Sequence, residues 1–293
     1  TKEPTDMFEA NSEITLGSYG IKSTGLAFGG PFKENENISY RLAFRKDKED
    51  GFRKNLYLKQ SDTSRKDEST SRLKINWEPS EKTTVKLLVS RVDLNDPADI
   101  WTLDGSLNTL SDRPGMDSQK TSSYGLKIFQ DLEGFEIQSL TSSTDTDVIF
   151  SYDADWGNED SWSPFIYDYF SETLKDRRTF GQEIRLVSDA ADLKRNKKIE
   201  WIFGVSYLEI KESNLKKDDG NYGDPSDPYG PYASSSSSLS KYKSEHFSVF
   251  GNIDYLLSET IKLSLGMRWE DWESEYSDTL GDEFNPSNNM SGG

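Results

Sequence analysis

Short stretches in which apolar and polar residues alternate recur along this chain, and the segments that join them alternate too, one brief and the next long and acidic. Residues 261–269 are the clearest case: Ile261, Leu263, Leu265, Met267 and Trp269 occupy the odd positions, with Lys262, Ser264, Gly266 and Arg268 between them. A period of two puts the first set on one face of a β-strand and the second set on the other. The same split separates Ile38, Tyr40, Leu42 and Phe44 from Ser39, Arg41, Ala43 and Arg45, and Leu73, Ile75 and Trp77 from Arg72, Lys74 and Asn76. Trp201, Phe203, Val205 and Tyr207 repeat the apolar row, as do Phe247, Val249, Ile253 and Tyr255, and Phe180, Ile184 and Leu186.

The pattern predicts eleven strands, at 9–19, 23–31, 38–46, 68–77, 84–92, 122–131, 135–143, 179–188, 200–210, 245–256 and 261–273. From residue 32 onward the brief connections (32–37, 79–83, 132–134, 189–198, 257–260) alternate with long ones (47–67, 93–121, 144–178, 211–244), and 274–293 begins another. All brief turns then lie at one end of an antiparallel up-and-down sheet. A soluble sandwich has little reason for this asymmetry, whereas an outer-membrane barrel has tight periplasmic turns and long external loops. The expected fold is all-β, a partial transmembrane β-barrel, and the expected role is transport or reception at a membrane.

A formal charge of −17 and a mean hydropathy of −0.79 look hostile to a membrane protein. They exclude only helical spanning, which needs about 18 consecutive apolar residues; a spanning strand needs about 9–11, half of them facing lipid. An aromatic content of 12% also separates the chain from disordered acidic polymers. With no cysteine there is neither a disulfide framework nor a thiolate metal site. The single His246, with no Ser/His/Asp order or phosphate loop, argues against an enzyme, and no cofactor or metal is expected. The acidic balance disfavours nucleic acid.

Trp and Tyr favour membrane interfaces. Tyr40, Trp77, Trp201 and Tyr255 all fall near the brief-turn end of their strands, which predicts a girdle there; Tyr19, Tyr124, Tyr207 and Trp269 are candidates for the outer one. Six residues separate Trp201 from Tyr207, only about 15 Å of height against an expected ~25 Å.

Several segments resemble TonB-dependent outer-membrane receptors just after their plug domain. They are Thr1-Lys2-Glu3-Pro4, Gly17-Ser18-Tyr19, Gly29-Gly30-Pro31, and Ser39-Tyr40-Arg41-Leu42-Ala43-Phe44 followed by Asp50-Gly51-Phe52. Trp77-Glu78-Pro79-Ser80, Gln182-Glu183-Ile184-Arg185-Leu186, Trp201-Ile202-Phe203-Gly204-Val205 and Leu265-Gly266-Met267-Arg268-Trp269 continue the resemblance to about Trp272. It implies location in the outer membrane of a Gram-negative bacterium and a wide barrel of about 22 strands. It also implies energy-driven uptake of a bulky nutrient, such as a ferric siderophore or other iron complex. Residues 1–293 would then be the first half of the barrel with no plug, a piece of a larger product, so the TonB energy complex would be reached only through a plug that this sequence lacks. Two alternatives stay open: a passive outer-membrane pore, and a secreted glycan-binding or glycan-cleaving β-protein.

Ligand contacts are expected in the long loops, where function concentrates on a rigid scaffold. Residues 145–172 carry eight acidic residues and no Lys or Arg, interleaved with Tyr152, Trp156, Trp162, Phe165, Tyr167, Tyr169 and Phe170. With Trp101, Tyr222, Tyr229, Tyr232 and His246 they supply the candidate ligand-binding set: Trp101, Tyr152, Trp156, Trp162, Tyr167, Tyr222, Tyr229, Tyr232 and His246. The competing reading is that the loop aromatics pack on one another and His246 is satisfied at the surface. Asp218, Asp219, Asp224 and Asp227 offer oxygen ligands to Ca²⁺, but their spacing fits ordinary turn chemistry better. Ser234 to Ser238 reads as a flexible tract. On the lumen face, Arg41, Arg45, Arg72, Lys74, Lys127, Arg185 and Arg268 either meet a plug or an anionic chelate, or pair along the wall with residues such as Glu183 and Asp254.

Overall fold

In the computed structural model, residues 2–32, 35–188, 198–258, 260–279 and 289–292 are described, and among them there is no helix. Strands β1 (Glu9–Leu16), β2 (Lys22–Phe32), β3 (Asn35–Glu49), β5 (Lys66–Ser80), β6 (Thr83–Pro97), β8 (Met116–Leu132) and β9 (Phe135–Asp153) make the first part of one antiparallel sheet. It continues through β10 (Ile166–Ser188), β11 (Ile199–Gly223), β12 (Tyr232–Ser258), β13 (Ile261–Asp278) and β14 (Asn289–Gly292), twelve strands in chain order. A separate parallel pair, β4 (Lys54–Asn55) and β7 (Asn108–Thr109), joins two of the long connections.

Among the described residues, no second layer faces this sheet. Ala98 is the one buried apolar side chain among the described residues, while Leu265 is 73% and Met267 81% exposed. A soluble sandwich would bury its apolar rows between two sheets, so that architecture is excluded. The register carries the apolar face from strand to strand without inversion: Leu42 opposes Leu73, Leu73 opposes Val89, and Val205 opposes Val249, which in turn opposes Trp269.

The upper limit of that apolar face is sharp. Two residues beyond its last member, the same face becomes charged: Lys46 after Phe44, Arg91 after Val89, Arg178 beyond Phe180, Glu209 after Tyr207, Glu245 beyond Phe247 and Asp271 after Trp269. From Ile199 to Tyr207, or from Ile261 to Trp269, the band is nine residues long, about 20 Å tall at the usual strand tilt. The shorter height expected from Trp201 and Tyr207 measured the band from too high a starting point. Phe180–Tyr207 and Phe247–Trp269 ring pairs sit at the upper edge, Phe32–Tyr40 and Phe135–Trp201 pairs near the lower one. Trp77 and Tyr255 each lie three residues from the short-turn end of their strand.

On the opposite face, the charged residues pair along the wall. Arg41 meets Glu9 (3.7 Å), Lys74 meets Glu3 (2.5 Å), Lys262 bridges Asp254 (2.7 Å) and Glu200 (3.0 Å), and Arg185 pairs with Glu183. Glycines on β11 and β12 accept aromatic rings from across the ladder. Phe203 covers Gly251 on the apolar face, and Phe250 covers Gly204 on the other.

Connections at the lower end are tight: residues 81–82, and Glu133-Gly134, where Gly134 takes φ 93°. Of the turn expected within 32–37, only 33–34 lie outside the described residues, with β2 ending at Phe32 and β3 starting at Asn35; the turn expected within 189–198 lies outside them but for residue 198. At the upper end, the strands run much further than the alternation predicts. The expected loop at 144–178 shrinks to 154–165, and that at 211–244 to 224–231. Ser234 to Ser238, expected to be flexible, is paired strand, opposite residues 216–220 of β11. Above the apolar band neither face is apolar, so alternation fades while backbone pairing persists. The first strand is shorter than expected: it stops at Leu16, and Tyr19 (φ 59°) and Gly20 (φ 70°) form the turn into β2.

Candidate ligand-binding site

The upper ends of β9 to β12, with connections 50–65, 98–115 and 154–165, form a crown above the apolar band. Buried polar side chains hold it together. Asp99, 3% exposed, accepts hydrogen bonds from Asn55 Nδ2 (2.9 Å), Thr109 Oγ1 (2.9 Å) and Thr63 Oγ1. The same Asn55 amide donates to the Ser111 carbonyl (2.7 Å) and its oxygen accepts from the Leu58 N–H (2.8 Å). Asp155 organises the next connection: its carboxylate accepts from the N–H groups of Gly157 (2.9 Å) and Tyr169 (2.7 Å) and from Trp162 Nε1 (3.3 Å). Asn158 Nδ2 donates to the Leu110 carbonyl (2.7 Å), tying 154–165 to 98–115. Hydrogen bonds to a charged acceptor contribute about 1.5–3 kcal/mol each and a neutral one such as Asn158 to Leu110 about 1 kcal/mol, and together they tie the three connections into one block.

Asp153, at the end of β9, is also buried, with Oδ1 accepting the Asp155 N–H at 3.2 Å. Burial, reinforced by the neighbouring Asp155 charge, pushes its carboxyl up to about 7.

Two aromatic groups line the inner side of the crown. Trp101 folds over Tyr152 (ring centroids 5.0 Å) and Phe150 (6.3 Å). Trp162 meets Tyr167 edge-on (5.1 Å), Tyr167 meets Tyr169 (4.9 Å), and Tyr222 stacks with Tyr232 across the β11–β12 ladder (5.4 Å). Trp162, Phe165, Ile166, Tyr167, Tyr222 and Asp224 border a recess of about 510 Å³. Of the expected ligand contacts, then, Trp162, Tyr167 and Tyr222 converge, Tyr232 buttresses them, and Trp101 and Tyr152 form a second cluster. Trp156 (φ 63°) lies in the 154–165 connection and Tyr229 is 85% exposed at the β11–β12 turn; neither joins a ring pair among the described residues. His246 stands far below the tip, stacked on Trp272 at 4.4 Å.

The four aspartates considered as Ca²⁺ ligands do not converge. Asp224 caps Ser226, Asp227 caps Tyr229 and accepts the Tyr232 hydroxyl (2.7 Å), and Asp218 meets Ser171 and Lys216. Arg113, which the sequence did not single out, reaches Asp168 (3.3 Å) and Asp219 (3.6 Å) and lies over the Phe170 ring (4.7 Å). Asp168, Phe170 and Asp219 share the face of β10 and β11 opposite to the one that carries Tyr167 and Tyr222. Nor did it single out Asp99 or Asn55: polar loop residues are common, and no spacing marks two that meet across 44 positions.

No family model matches the chain, and no curated protein matches it in sequence. Solved structures do match its shape. The ferric yersiniabactin uptake receptor FyuA from Yersinia pestis superimposes with a TM-score of 0.68 at 14% identity, over 100% of this chain and 43% of that one. The siderophore receptor PiuA from Acinetobacter baumannii gives 0.69 at 14% identity over 99% of this chain and 46% of its own. The alcaligin outer-membrane receptor FauA from Bordetella pertussis gives 0.63 at 12%, over 100% and 40%. At these identities the likeness is one of fold: the chain has the architecture of part of an outer-membrane receptor barrel. It spans less than half the length of each of these structures.

Proposed function

We propose that this chain forms part of the wall of an outer-membrane receptor that takes up a bulky nutrient, a ferric siderophore or another iron complex, by a TonB-dependent route. The observation that carries this reading is the nine-residue apolar band, exposed on one face of a single twelve-stranded sheet whose other face is polar and ion-paired. Such a surface is stable against hydrocarbon outside and water inside. The stitched crown supports the receptor role over a passive pore, because it holds aromatic side chains rigidly above the lumen. Further strands belong beyond β1 and β14, since an unpaired edge leaves backbone groups unsatisfied in lipid. The energy complex would act through a plug outside this sequence.

The test is genetic and biochemical. Cells starved of iron and lacking the gene are expected to lose energy-dependent uptake of at least one ferric chelate, restored by the whole gene product, which is expected in the outer-membrane fraction. Recovery of the product in the soluble fraction, or unchanged uptake across a panel of ferric chelates, would overturn the reading.

A further inference from the structure

The recess at the tips of β10 and β11 is built from exposed rings that are nonetheless held in place. Phe165 is 53%, Tyr167 43% and Tyr222 47% exposed. Trp162 is oriented by the Asp155 carboxylate, and Tyr222 is backed by Tyr232, whose hydroxyl is tied to Asp227. Holding apolar rings in water with their polar ends fixed is unfavourable for the free protein, and it lowers the ordering cost for whatever binds there.

The charge around these rings has one sign. Residues 145–172 hold eight acidic side chains and no Lys or Arg; residues 218–240 hold four aspartates and again no Lys or Arg. Arg113 is committed to Asp168, Asp219 and Phe170 on the opposite face of the strands. Asp224 borders the recess, and bonds from the Ser226 N–H and hydroxyl hold its carboxyl below the ordinary range, so its charge persists.

We propose that this recess binds a positively charged group, by contact with the faces of Trp162, Tyr167 and Tyr222 in the field of Asp224 and Asp227, so that the cargo is a chelate carrying a cationic substituent and not a polyanionic one. The electron-rich ring faces attract a cation within about 6 Å, while the surrounding carboxylates repel anions. Where the proposal speaks of cargo, it rests on the receptor reading above; the binding claim concerns the recess alone.

The measurement is equilibrium binding to outer-membrane vesicles holding the whole gene product. The probes are a ferric tris-hydroxamate bearing one free ammonium, the same complex with that amine acetylated, and a trianionic ferric tris-catecholate. The ammonium form is expected to bind about tenfold more tightly than the acetylated one, the effect of roughly 1.4 kcal/mol, and the catecholate most weakly. W162L and Y222L are expected to bring the first two probes together, while W162F and Y222F, which keep a ring, retain most of the difference. Should the leucine variants fail to assemble, the exposed D224N is expected to reduce the preference and its salt dependence. Equal affinity for the ammonium and acetylated forms, tighter binding of the catecholate, or no binding of the ammonium form up to millimolar concentration would each overturn the proposal. Failure of this test with iron uptake intact sinks only the cation site; loss of the receptor reading shows separately, as unchanged uptake on deletion.

Discussion

Asp99 shows how much one side chain does where the described residues bury almost no apolar side chain. Three donors from two connections end on its carboxylate, and all are buried. D99A leaves Asn55, Thr63 and Thr109 with no acceptor there, at a cost of about 3 kcal/mol or more. The expected outcome is rapid proteolytic cleavage within 50–65 and 98–115, with the sheet below intact by circular dichroism. A second sensitive position is Gly204, whose missing side chain makes room for the Phe250 ring. In G204A the ring must leave, which overpacking data put at about 1–3 kcal/mol. A lower temperature for loss of folded gel migration checks it. Neither position announces itself in the sequence: a Gly in a strand and an Asp in a loop are ordinary, and their importance comes from partners distant in the chain.

Each strand has two regimes, and the lower was far more legible than the upper. Between the short turns and the row at Phe44, Tyr207 and Trp269, one face is apolar and the other polar, so alternation is enforced and the faces could be read directly, although the register came only with the structure. Above that row both faces are wet, and 213–223 with 232–244 carry Ser, Lys, Asp and Tyr in no fixed rhythm, yet pair without interruption. The aromatic residues of the candidate site were legible as types; which of them touch was not. The lower regime predicts an asymmetry between neighbours on β13. L265R puts a charge into the apolar band and is expected to cost about 2–4 kcal/mol, whereas S264R, on the wet face, is expected to cost little; denaturant unfolding of the whole product in lipid separates the two. At the top of β9, burial raises the Asp153 carboxyl from its ordinary value of 3.8 to about 7. Because its folded-state value is raised, the stability of the neutral form is fully present below about pH 4 and lost as pH rises through about 7. Amides of 98–115 and 154–165 are expected to exchange faster at pH 8 than at pH 5, after correction for intrinsic rates, and D153N is expected to reduce that dependence, leaving the part due to Asp112, whose carboxyl burial also raises.

For the molecule as a whole, the open sheet decides what behaviour to expect. β1 and β14 are its outer members, with no closing pair among the described residues. If further strands complete the wall, as proposed, the 293-residue chain alone in detergent is expected to aggregate and show one gel position, boiled or not, whereas the completed product is expected to migrate faster when unboiled. A compact, heat-modifiable band from the chain alone would show that the wall closes without further strands.

The wall contains almost nothing that must fit like a jigsaw. Among the described residues the largest fully buried side chains are Asn55, Thr109 and Ser111 in the crown and Ser244 in the sheet, and in the proposed setting its greasy residues would touch a solvent that accepts any hydrocarbon shape. Selection on such a surface acts on parity, odd against even, and hardly on identity, so one aliphatic residue can drift into another with little penalty. That freedom accounts for a chain that keeps the shape of solved receptors at 12–14% identity while matching no sequence family.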